Sequence, residues 1–213
     1  MNESGAQVAA VVGGSVVTFA GDLPESHRED IYLSTMYAQR ATREAFNVGL
    51  SGDWFTYYRN VLKYIGWDVP VPEGLPFRRD DSMAEEAAQS ISTRLGDRFS
   101  SPVRHALAAL ESDSLALDLF ESTSLSQDAG CFQIIPCVLK DPNRVEMGIY
   151  HRQFQIRRRV SRFLFIKHED LVHSSTEQMS VITFNTLYYA QFREKVKRSV
   201  LSQSMKYLKG LEV

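Results

Sequence analysis

The sequence predicts an α+β protein, and three observations predict it. Apolar residues recur at helical spacing through most of residues 22–121. From residue 131 onward the apolar period falls to two, the mark of strands. Between the two regimes lies a small, polar stretch, "ESTSLSQDAG" (121–130), that reads as a loop. Helices and antiparallel strands segregated along the chain define the class. The expected architecture is an N-terminal strand, a helical block, an antiparallel sheet of about four to five strands and a long C-terminal helix. All of it falls in one domain over 1–213, with the helical part at 22–121 and the sheet plus final helix at 130–213.

Each element has its own local reason. Residues 7–20 are Val-rich and read as strand or strand pair, with a bulge or tight bend at Gly13-Gly14. Asp22 and Pro24 open a helix whose apolar positions include Ile31, Ala38, Ala41 and Ala45. Asp53 is placed to cap a second helix, with Trp54, Tyr58, Val61, Leu62 and Ile65 on one face and Gly66 as its stop. Pro70, Pro72 and Pro76 exclude a helix or central strand, so that segment reads as a rigid loop. Ser82 and Glu85 form a capping box for a third helix, ended by Gly96. Ser101-Pro102 reads as the start of a fourth, with a restart near Ser112–Ser114. "CFQIIPCVLK" (131–140) is a strand and "DPN" (141–143) a turn. Val145, Met147 and Ile149 alternate, then Tyr150, Phe154 and Ile156 take the opposite phase, which predicts a β-bulge. "RFLFIKH" (162–168) is apolar on both faces and reads as a central strand, and "MSVITF" (179–184) as another. Asn185 caps a last helix with Tyr188, Phe192, Val196 and Val200 four apart and Tyr207 and Leu211 beyond.

Composition excludes several classes. The 213 residues are 44% hydrophobic and 23% charged, ordinary for a folded protein. Two cysteines are too few for a disulfide-stapled scaffold, and a net charge of −2 argues against a protein built to coat nucleic acid. Val8–Ala20 is shorter than the roughly 20 residues a spanning helix needs, and the opening "MNESG" lacks the basic start of a signal peptide. A Gly-rich membrane-inserting segment is the minority reading of that stretch. The expected location is the cytoplasm, or outside by a route without an ordinary signal peptide.

Reactive constellations are sparse. Cys131 and Cys137, six apart on one strand, lie about 20 Å from each other, beyond the ~7 Å Cα limit of a disulfide. They read as buried, inert thiols. The histidines are His27, His105, His151, His168 and His173, with no H-E-x-x-H spacing. His168-Glu169-Asp170 is the one His–carboxylate cluster; a strand end reaching water is the plainer account of it. Nucleophile-elbow, dinucleotide and phosphate-loop motifs are absent. Asp80-Asp81 and Glu85-Glu86 surround a helix start, where they suit capping and the dipole. No cofactor or metal is expected. The distinctive feature is basic. Arg144, Arg152, Arg157, Arg158, Arg159, Arg162 and Lys167 against Glu146, Glu169 and Asp170 give residues 144–170 a charge of +4, leaving −6 elsewhere. Arg157, Arg158, Arg159 and Arg162 sit at an expected hairpin tip, a candidate grip for phosphate on an anionic surface. Phe154 and Phe163 flank that tip with their rings directed to the core.

The segments "GSVVTFAGDLPESHREDIYLSTMYAQRATREAF" (14–46), "DWFTYYRNVLKYIGWDV" (53–69), "LFESTS" (119–124), "GCFQII" (130–135), "RFLFIKH" (162–168) and "YLKGLEV" (207–213) resemble, in that order, a family of uncharacterised proteins of about this length in bacteria and fungi. The resemblance spans most of the chain and implies one folded unit. It implies no activity, cofactor or site residue. The relatives carry a Ser-rich hairpin where this chain has "FQIRRRVSRF" (154–163), so the basic tip belongs to this chain alone.

The sequence therefore points to a protein without catalysis of its own, acting through its surface as an interaction, assembly or secreted effector protein of the toxin or virulence-associated kind. Its expected partner is another protein or a second copy of itself. The alternatives are an anion- or membrane-binding protein using the basic hairpin on anionic lipid, and a hydrolase built around His168, Glu169 and Asp170 or His151. Nucleic acid is a poor fit.

Overall fold

A computed structural model describes residues 8–50, 52–76, 81–157, 160–167, 172–201 and 205–213. Strands β1 (Val8–Val12) and β2 (Ser15–Phe19) form a hairpin around Gly13-Gly14, pairing Val12 with Ser15. Gly13 has φ +56°, which a two-residue hairpin loop of this twist requires. Helices α1 (Glu25–Asn47) and α2 (Trp54–Tyr64) follow, then the short strands β3 (Trp67–Asp68) and β4 (Glu73–Leu75). Helices α3 (Met83–Leu95), α4 (Asp97–Ser112) and α5 (Ser114–Ser124) lead into β5 (Leu125–Ser126) and three long strands. These are β6 (Ala129–Asp141), β7 (Arg144–Ile156) and β8 (Val172–Asn185), followed by α6 (Thr186–Leu201) and β9 (Leu208–Leu211).

The fold is α+β, as expected, with a larger sheet. Nine strands among the described residues share one sheet in the order β3-β8-β7-β6-β2-β1-β9, with β4 on β8 and β5 on β6. The sheet is mixed. β2 and β6 run parallel, which the long helical connection between them allows, whereas the other pairs are antiparallel. The helices before residue 122 split between two layers. With α6, helices α1 and α2 cover one face, where Ile31, Tyr58, Leu62 and Val196 pack on Ile135, Met147, Ile149 and Phe184. Helices α3, α4 and α5 cover the other, where Ile91, Val103, Leu110 and Phe120 pack on Phe132, Ile134, Tyr150 and Phe154.

That double coverage corrects the bulge expected within β7. The strand pairs without a register shift from Arg144 to Gln155 against β8. Val145, Met147 and Ile149 enter the first core, and Tyr150, Phe154 and Ile156 enter the second. The apolar phase changes because the sheet has two buried faces, not because the backbone slips. His151 and Arg152, polar and seemingly outward in either phase, are both buried.

Three further expectations are corrected. Residues 161–165 form a turn rather than a central strand, with Arg162 at φ +63° and the Phe165 N–H bonded to the Arg162 carbonyl. Phe163 and Leu164 from this turn plug the second core, and the Glu121 carboxylate accepts from the Phe163 N–H at 3.0 Å. Two consecutive buried loop side chains imitate a strand covered on both faces. Secondly, Tyr207 and Leu211 do not extend the last helix, because α6 stops at Leu201 and β9 instead closes the edge of β1, pairing Leu211 with Ala9. Thirdly, α4 begins at Asp97, so Pro102 lies in its second turn; Gly96, at φ +81°, carries the chain straight from one helix into the next.

The loop expected at 121–130 is also corrected, because α5 runs to Ser124 and β5 pairs Leu125 with Gly130 and Ser126 with Ala129, leaving only Gln127 and Asp128 as the turn. Three helix starts hold. Ser82 and Glu85 make the capping box, Asp53 accepts from the Thr56 N–H at 3.0 Å, and Asn185 accepts from the Leu187 and Tyr188 N–H groups. The prolines at 70, 72 and 76 flank the edge strand β4. No helix among the described residues is long and apolar enough to cross a membrane.

Candidate functional site

A cleft of about 390 Å³ opens beside the β1–β2 turn. Its walls come from the C-terminal half of α1, the end of α5 and the start of β6 and include Arg43, Phe46, Ser124, Leu125, Cys131, Gln133 and Trp54 at the head of α2. Chain direction explains why polar groups meet here. Parallel pairing sets Ser15 of β2 directly against Gln133 of β6, and the tight turn at Gly13 brings Gln39 of α1 alongside. The Gln39 amide donates to the Val12 carbonyl at 2.9 Å and to the Ser15 hydroxyl at 2.6 Å, and Ser15 donates on to Gln133 Oε1 at 2.8 Å. This relay runs in one direction because an amide nitrogen only donates. Gln133 Nε2 is thereby left as a donor without an acceptor among the described residues, and the Ser124 hydroxyl likewise has no partner there. Gly14 lets this happen at close quarters: a Cβ there would sit 3.2 Å from Ser124 Oγ.

Cys131, which lines the cleft, meets the buried His151 behind it, with Sγ 4.0 Å from Nδ1. Trp54 and Phe55 from α2 stack on the imidazole at centroid distances of 5.5 and 4.4 Å. Burial lowers the His151 imidazole to about 3, overriding the opposing pull of Asp53. Burial pushes the Cys131 thiol up to about 12, although Arg43 opposes it. A nucleophilic Cys–His pair needs the reverse shifts, toward thiolate and imidazolium. At neutral pH this pair is a neutral thiol beside a neutral ring. Cys137 faces the first core, and burial raises its thiol well above the ordinary value. The two cysteines are not bonded to each other.

The second polar cluster lies on the other face. Arg152 is fully buried and pairs with Glu86 of α3 at 2.5 Å and with Glu177 of β8 at 3.6 Å. Its Nε donates to Ser175, and the Tyr150 hydroxyl donates to Glu177 at 2.7 Å. Glu86 thus joins a buried ion cluster rather than a capping set. Its sequence signal is its place three residues after the buried Met83, beside the stripe of α3. Arg152 has a weaker signal, because only double coverage of the sheet explains it.

Two of the four arginines of the expected basic tip lie among the described residues. Arg157 is exposed just beyond β7. Arg162 lies in the 161–165 turn and donates to the carbonyl of Glu111 and to its carboxylate at 3.3 Å. Arg158 and Arg159 lie outside the described residues, as do His168, Glu169 and Asp170. Arg144 pairs with Asp141 at 2.8 Å. Phe154 and Phe163 point into the core, with ring centroids 5.4 Å apart.

No family model matches the sequence, and no curated protein does. Among solved structures the chain is similar to a delta-endotoxin, at 10% identity over 81% of this chain and 83% of that one, with a TM-score of 0.47. It is also similar to the activated Cyt2Ba monomer from Bacillus thuringiensis subsp. israelensis, at 11% identity over 62% and 77%, with a TM-score of 0.36. A third similar structure is the Evf virulence factor, at 13% identity over 92% and 84%, with a TM-score of 0.34.

Proposed function

We propose that the protein acts through its surface, without chemistry of its own, as an interaction or effector protein of the toxin or virulence-associated kind. The observation that carries this reading is a contiguous exposed aromatic patch where α2 ends and α6 begins. Tyr64 is 62% exposed, Leu187 68% and Tyr188 55%. Phe192 bridges the two tyrosines, with ring centroids 6.5 Å from Tyr64 and 5.9 Å from Tyr188. Gly66 keeps the patch tight, since a Cβ there would fall 2.6 Å from the Tyr188 ring. Apolar groups clustered at the surface suit contact with another protein or a second copy of this chain. The neutral states of Cys131 and His151 agree with a molecule that binds rather than reacts.

The test is growth inhibition of cells that express or receive the protein, with self-association followed by sedimentation. Tyr64→Ser, Leu187→Ser and Tyr188→Ser together are expected to abolish both effects while the circular dichroism stays unchanged. Loss of inhibition in a folded Cys131→Ser variant, with the patch variant still active, would overturn the reading in favour of a hydrolase.

A second reading, an anion- or membrane-binding role for the segment around Arg157, Arg158, Arg159 and Arg162, keeps support from the exposure of Arg157. Co-sedimentation with anionic vesicles at two salt concentrations tests it. Surface attraction is strongest at low salt, so absence of binding there removes it.

A further inference from the structure

The cleft beside the β1–β2 turn holds two buried polar groups, Gln133 Nε2 and the Ser124 hydroxyl, that have no partner among the described residues. Gln133 is 1% exposed and Ser124 4%. A buried amide donor without an acceptor is costly, and such groups in native proteins are normally met by something. The Gln39–Ser15–Gln133 relay engages Gln133 Oε1 and so fixes the direction of its amide nitrogen. Arg43 adds a guanidinium at the rim: one Nη donates to the Thr123 carbonyl at 3.2 Å, and its charge is felt at the Cys131 thiol. Among the described residues, no acidic side chain lines the cleft. The remaining wall is apolar, with Trp54, Phe46 and Leu125. Its volume of about 390 Å³ lies at the small end of the range for small-molecule sites, roughly 300–1,000 Å³.

We propose that this cleft is a binding site for a small organic carboxylate, whose charged end meets Gln133 Nε2, the Ser124 hydroxyl and the Arg43 guanidinium while a flat or short apolar body lies against Trp54, Phe46 and Leu125. A donor-rich, acid-free pocket selects an acceptor-only group, and an ionised carboxylate is the smallest organic group that accepts from three donors at once. The apolar wall distinguishes an organic acid from a bare inorganic anion. The site is independent of the aromatic patch at α2 and α6, so it stands or falls apart from the effector reading.

The experiment titrates the purified protein with acetate, benzoate, indole-3-acetate, benzamide and inorganic phosphate. Binding is read from the rise in melting temperature and from the side-chain amide resonances of Gln133. Saturable binding of benzoate or indole-3-acetate with a shifted Gln133 amide signal is expected, at least about tenfold tighter than neutral benzamide, a difference of the size one charge-assisted contact supplies. Arg43→Gln, at an exposed position away from both cores, is expected to erase the preference for the acid over the amide while the protein stays folded. Gln133→Met is expected to weaken binding further. Absence of saturation by all three carboxylates would overturn the proposal. So would equal binding of phosphate and benzoate, or an Arg43→Gln variant that binds benzoate as the wild type does.

Discussion

Taking the protein from pH 7.5 to pH 5 is expected to remove about 2 kcal/mol of stability through His151 alone. The imidazole is fully buried, stacked on Trp54 and Phe55, and lowered from the ordinary 6.5 to about 3. In the unfolded chain the same ring takes up a proton near 6.5. Its contribution is therefore complete above pH 6.5 and is lost as pH falls from there toward 3. Within that window each pH unit costs about 1.4 kcal/mol for one proton. Cys131 and Asp53 are the ionisable groups that act on or face the ring from β6 and α2. The thiol stays protonated throughout, and the opposing pull of Asp53 is already contained in the lowering to about 3. Urea unfolding at several pH values, followed by tryptophan fluorescence, reads the effect directly. With an m-value of roughly 2 kcal/mol/M, the midpoint should fall by roughly 1 M more than in a His151→Phe variant, which keeps a ring in the stack. The carboxylates titrate in both proteins and cancel in the comparison. Equal acid sensitivity of wild type and His151→Phe would refute a neutral buried imidazole.

Other perturbations probe the remaining geometry. Arg152→Met leaves Glu86 and Glu177 buried without their guanidinium and is expected to cost about 3–5 kcal/mol in chemical denaturation; a loss below about 1 kcal/mol would mean the cluster is hydrated. Gly130→Ala drives a Cβ to within 2.1 Å of the Phe154 ring, and overpacking of this kind typically costs about 1–3 kcal/mol; a melting temperature equal to wild type would contradict the packing. Gly13→Ala combines φ +56° with a Cβ 2.3 Å from Gln39 Oε1, so it should destabilise the protein and broaden the Gln133 amide signals together. Ser82→Ala removes the capping box of α3 at a cost of about 1 kcal/mol, measurable by calorimetry.

Much of the fold was legible because its signals are local. Asp53, Ser82 with Glu85, and Asn185 announce helix starts through the hydrogen bonds their own side chains make, and Gly13-Gly14 announces a turn. What was not legible depends on partners distant in sequence. Whether β7 carries one buried face or two is decided by α2 and α3 settling on opposite sides of it, so the phase change at Ile149–Tyr150 resembled a slip. The 162–168 segment has strand-like composition, yet its residues are buried as plugs in a turn. The last strand is too short to show a period and exists because β1 offers an edge. The same logic governs the cleft: Ser15 and Gln133 are 118 positions apart, and no spacing rule links them. Of the basic residues, a count of charges could not separate Arg152, sunk between two carboxylates, from Arg157, facing water.

Strand β7 is the party wall of two rooms, furnishing each with every second residue. Deleting a single residue from its middle would send Tyr150 and Phe154 to the side built for His151 and Ile149, and the reverse, so neither room could be rearranged to suit. Length changes in this chain belong at its loops, and the one reading frame of β7 is held from both sides at once.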